Sequence, residues 1–203
     1  EREARGGDTL APTGLLGAAG AVRAHHRLRA LGVDRFGVLD RGLERLGEAA
    51  TADRIRATGA AAVVLAGGRT GEGGLDDLVG VGRRLRSDGD PVRVALVHDR
   101  REEAEAVLQA DAADVVLVGE ADESLPMTLE ATLRDTSRPG RGGSDGAWEA
   151  IPGALWRDME GTVRSGATQR PPRVPGAPAW DLVDLDRYAA KRTEPGTLQA
   201  TWS

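Results

Sequence analysis

Short apolar runs alternate along this chain with stretches whose apolar positions recur every three or four residues. Leu15, Leu16, Ala19, Val22, Leu28 and Leu31 fall at helical spacing, and Gly32 supplies a stop. Val33 to Leu39 reads as a strand, and Ala52 to Thr58 as a weaker helix ended by Gly59. Ala61 to Ala66, Pro91 to Val97 and Asp114 to Val118 read as strands, and Val115 to Val118 has the length and β-branched content of a strand covered on both faces. Between them the pattern predicts helices over 75–87 and 101–110, and a further helix follows over 125–134. Strand and helix thus alternate, which is the signature of an α/β fold with a doubly wound, mostly parallel sheet. A flavodoxin/Rossmann-like order of 2-1-3-4-5 would put strand 1 in mid-sheet, yet nothing before Leu15 reads as a buried strand. The expectation is that the chain begins after strand 1, or carries a degenerate substitute near Thr9 to Ala11.

The periodicity fades after residue 137. Residues 138–150, rich in Gly, Ser, Pro and charge, read as a linker between an α/β domain over 1–137 and a tail over 151–203. In the tail, Ala154 to Arg157 and Gly161 to Arg164 suit a small β-hairpin around Asp158 to Glu160. The proline-rich 170–178 suits an extended connector. Trp148, Trp156, Trp180, Tyr188 and Trp202 concentrate late, where they serve equally to anchor a domain boundary or to seal a small tail.

Composition removes several function classes. The formal charge of -5 and pI near 5.3 oppose a nucleic-acid surface, and arginines are interleaved with Asp and Glu instead of forming a basic face. No apolar run approaches 18 residues and no leader pattern opens the chain, so the expected location is cytoplasmic, without a membrane partner. The chain has no cysteine, which excludes disulfides, zinc thiolates and an iron-sulfur cluster held by these 203 residues. Phosphate-loop, dinucleotide, nucleophile-elbow and paired-histidine zinc motifs are all missing, and no catalytic residue is assigned.

In an open α/β sheet, ligands sit beyond the carboxyl ends of the strands. That places candidate binding residues at Pro12, Thr13 and Gly14, at Gly67, Gly68, Arg69 and Thr70, at His98, and at Gly119 and Glu120. Glycines there allow close backbone approach to a bulky ring, and free N–H groups can take amide or phosphate oxygens. Flexibility alone also explains Gly67 to Gly74, and helix capping explains the acids Glu120, Asp122 and Glu123. His98 reads as a metal ligand, a proton carrier or a surface histidine, and His25 and His26 as solvent-facing residues of a helix.

Several motifs occur in a fixed order: Ala11-Pro-Thr-Gly-Leu-Leu16, Gly119-Glu120 with Glu123, Ile151-Pro-Gly-Ala-Leu-Trp-Arg157 with Gly161-Thr-Val163, Pro178-Ala-Trp-Asp-Leu-Val-Asp-Leu-Asp-Arg-Tyr188, and Gln199-Ala-Thr-Trp-Ser203. Over residues 9 to 203 this order resembles the cobalamin-binding radical SAM enzymes. The resemblance implies a corrinoid-binding α/β domain, then a hairpin and connector leading to a radical SAM barrel. That barrel would carry the [4Fe-4S] cluster on three cysteines and bind S-adenosylmethionine, and it is expected in cis beyond Ser203. Methyl transfer in a biosynthetic pathway is the implied activity. The chain departs from the family where a Gly-Gly pair before the histidine is replaced by Ala95 and Leu96. It also lacks the Asp-x-His-x-x-Gly motif, so no histidine of the protein is expected beneath the cobalt. The competing readings are a non-catalytic flavodoxin-like regulatory or binding module, and a truncated fragment without a ligand.

Overall fold

The computed structural model describes residues 37, 39, 44, 46–66, 74–87, 90–97, 100–119, 124–134 and 145–168. They form an α/β fold: α1 (Glu48–Thr58), β1 (Ala62–Ala66), α2 (Gly74–Arg84), β2 (Val92–Val97), α3 (Arg101–Gln109), β3 (Val115–Val118), α4 (Ser124–Arg134), α5 (Asp145–Glu149), β4 (Ala154–Arg157) and β5 (Val163–Ser165). The expected helix at 15–31 lies outside the described residues. So does most of the expected strand at 33–39, of which only Gly37 and Leu39 are described, neither in a strand.

The strands make one mixed sheet in the order β1-β2-β3-β4-β5. The first three are parallel, with Ala66 opposite Leu96 and Val97 opposite Val118. The last two are antiparallel, with Val115 opposite Trp156 and Leu155 opposite Ser165. Side chains alternate across a strand, so each strand feeds two cores. Leu65, Ala95, Val97, Val116 and Leu155 meet α1, α2 and α3 on one face. Val94, Val115, Leu117, Ala154 and Trp156 meet α4 and α5 on the other. This double demand is why β2 and β3 are apolar almost throughout, and why their residues are nearly all buried.

Each helix is shaped by its ends and its apolar stripe. Helix α1 starts four residues before the expected Ala52, because Gly47 caps it, Glu48 suits the positive end of the dipole, and Thr51 Oγ1 donates to Gly47 O at 2.9 Å. It buries Ala52 and Ile55 and closes on Gly59, whose N–H donates to Arg56 O. Helix α2 has Asp76 and Asp77 in its first turn and Arg83 and Arg84 in its last, and it buries Leu78 and Val81, with Leu85 just beyond its end. Helix α4 buries Leu125 and Leu129. Its threonines Thr128 and Thr132 escape an unpaired hydroxyl by donating to the carbonyls of Ser124 and Thr128. Full burial of a leucine such as Leu85 or Leu125 stabilises the fold by roughly 1.5–3 kcal/mol.

The hairpin is an extension of the sheet. Without β4, β3 would be an edge strand with apolar residues on both faces. Leu155 enters the first core and Trp156 the second, and Val118 N donates to Gly153 O at 2.9 Å to lengthen the pairing. The stretch read as a linker ends in α5, whose Trp148 is buried in the second core. Ser124 Oγ donates to Pro152 O at 2.6 Å, fastening the start of α4 to the residues leading into β4.

At the hairpin tip Gly161 takes φ 82°, a conformation that favours glycine. Asp158 organises the turn: its carboxylate accepts the N–H groups of Glu160 and Thr162 and pairs with Arg164 at 2.7 Å. Loss of hydration works to raise the Asp158 pKa, but the Thr162 N–H, Arg164 and the Glu160 N–H outweigh it and hold the group below its ordinary value. A depressed folded pKa stabilises the turn fully above the unfolded carboxylate's pKa, and this is lost as pH falls through the folded value. Amide resonances of Glu160 and Thr162 should therefore titrate together at a pH below the usual carboxylate range. The Asp158→Asn variant should abolish that step, and titration at an ordinary carboxylate pKa would contradict the assignment.

Candidate functional site

The three parallel strands finish within one residue of one another. Ala66, Val97 and Val118 are the last strand residues, with Ala66 opposite Leu96 and Val97 opposite Val118. The chain therefore leaves the sheet after Ala66, Val97 and Val118 along a single edge. Gly119 is half-buried with φ 87°, which lets the chain turn directly off β3 where a side chain would be strained. Its N–H donates to Val97 O at 2.8 Å and is thus not a free donor for a ligand. What Gly119 contributes is the absence of a side chain, and exposed Ala66 does nearly the same at the end of β1.

Gly119 is the one expected binding residue among those described. Pro12, Thr13, Gly14, Gly67, Gly68, Arg69, Thr70, His98 and Glu120 lie outside the described residues. Among the described residues no group of three or more His, Cys, Asp or Glu side chains is placed to hold a metal ion.

The strongest polar constellation lies at the opposite, amino edge and was not singled out from the sequence. Arg93, the second residue of β2, is 2% exposed. Nε and Nη2 bracket Asp114 at 3.1 and 2.9 Å, Nη1 donates to the carbonyls of Gly82 and Asp111 at 3.0 and 2.7 Å, and Nη2 also reaches Asp111 Oδ1 at 3.4 Å. All five guanidinium N–H groups are engaged, the full complement of the side chain. Burial pulls the Arg93 pKa down, but Asp114 and Asp111 more than offset this and leave it above its ordinary value. Asp111, in a left-handed conformation at φ 53°, also pairs with Arg86 and with Arg157 of β4. A cation so fully satisfied has no donor left for a substrate. Its work is to tie α2, β2, the turn before β3, and β4 together. The signal in the sequence is an arginine inside the otherwise apolar run Val92 to Val97, which demands a buried partner.

An open depression of about 400 Å³ also lies toward the amino edge, lined by Ile55, Arg56, Gly59, Ala60, Ser87, Asp90 and Pro91. Arg56 is held there by Asp90 at 2.8 Å and by the Arg84 carbonyl, and Asp90 accepts the Ser87 N–H, so its polar groups already serve one another. The carboxyl edge is the better candidate because three parallel strand ends converge there.

Among the described residues no helix is long and apolar enough to cross a membrane. No family model, curated protein or solved structure matches the chain.

Proposed function

We propose that the chain is the cobalamin-binding part of a radical SAM enzyme, its sheet doubly wound in the flavodoxin manner, with the corrinoid seated at the carboxyl edge. The observation that carries this reading is that β1, β2 and β3 end within one residue of one another, with small residues at the end of β1, Ala66, and just after β3, Gly119. A large flat ring needs an edge without protruding side chains, and these two residues fit that need. The helices support the doubly wound form: α1, α2 and α3 pack on one face and α4 and α5 on the other.

The same reading gives the hairpin its role. Ile151 and Pro152 are buried, Gly153 pairs with Val118, and Ser124 grips Pro152, so the Ile-Pro-Gly motif stands next to the carboxyl end of β3. It walls the β4 side of the proposed cradle. Cobalamin, when bound, would supply methyl-carrying chemistry. The residues of this chain would bind and orient it, through Pro12, Thr13, Gly14, Gly67, Gly68, Arg69, Thr70, His98, Gly119 and Glu120. Cluster and S-adenosylmethionine chemistry is assigned to none of these 203 residues, which include no cysteine.

The test is titration of the 203-residue chain with hydroxocobalamin. Binding should change the visible spectrum saturably, carry colour through gel filtration with the protein, and raise the unfolding free energy by about 2.7 kcal/mol at a hundredfold excess over Kd. An unchanged spectrum together with an unchanged melting temperature would overturn the reading in favour of a chain that takes no corrinoid.

A further inference from the structure

We draw no further inference here: the strongest candidate, the outer edge of β1, whose five apolar residues have β2 as their one strand neighbour among the described residues, carries nothing because nothing in the structure shows what covers it.

Discussion

Replacing Arg93 by methionine will destabilise the fold by about 3–5 kcal/mol, the cost of removing one partner from a buried ion pair. The methionine fills much of the same space, so the loss is electrostatic. Asp114, whose side chain is only 10% exposed, keeps its charge without its bidentate partner, and the carbonyls of Gly82 and Asp111 lose their donor. Asp111 suffers less, because Arg86 and Arg157 still reach it. Lysine will not rescue the site, since a point charge with three donors cannot span acceptors set for a planar fork. The informative comparison is Arg93→Met/Asp114→Asn. Removing the stranded charge should restore part of the stability, giving a coupling of about 0.5–3 kcal/mol in urea unfolding. Strictly additive losses would mean the pair does not act as a unit. By contrast, Arg101→Ala, which removes the exposed pair with Glu105, should change stability by no more than about 1 kcal/mol.

This network also marks where the sequence is legible and where it is not. The strands at Ala62–Ala66, Val92–Val97 and Val115–Val118 start within one residue of the expected positions, because strands facing a core on each side carry a nearly continuous apolar run, broken here by Arg93 alone. The hairpin β4–β5 is equally visible in its local alternation. Its attachment to β3 is not, since pairing partners such as Val115 and Trp156, far apart in the chain, leave no local trace, and only the burial of Leu155 and Trp156 on opposite faces demands a neighbour. The same limit hides the Arg93 constellation, whose members come from α2, β2, the turn before β3 and β4. That Trp148 belongs to a helix is not legible, because five residues are too few to display a period. For the candidate site, the glycine after β3 is apparent from sequence because a chain leaving a buried strand sharply needs a positive φ. Its hydrogen bond to Val97 is a tertiary fact that no motif contains.

Replacing Gly82 by valine should approach the damage of losing Arg93, although Gly82 is helical and glycine is a poor helix former. A Cβ at Gly82 would overlap the carbonyl oxygen of Ala112 and come within 2.8 Å of its carbonyl carbon. That obstacle is backbone, buried and adjacent to Asp111, so yielding would drag the carboxylate away from Arg93. Overpacking of this kind costs about 1–3 kcal/mol. Gly82→Ala sets this cost against a helix-propensity gain of about 1 kcal/mol. Gly82→Val adds two methyl groups and forfeits most of that gain, and is expected near 3 kcal/mol. Gly80, two positions before Gly82 in the same helix, supplies the control. Its Cβ would meet the carboxylate of Glu48, the far end of a flexible and partly exposed side chain. Swinging that carboxylate aside sacrifices only the exposed pair with Arg84, worth about 0–1 kcal/mol, so Gly80→Ala should be neutral or slightly stabilising. Thermal melts of the two alanine variants share the same propensity term, and their difference isolates the close approach of α2 to the turn before β3. Equal melting temperatures would show that this approach is not tight, and would weaken the account of Arg93 with it.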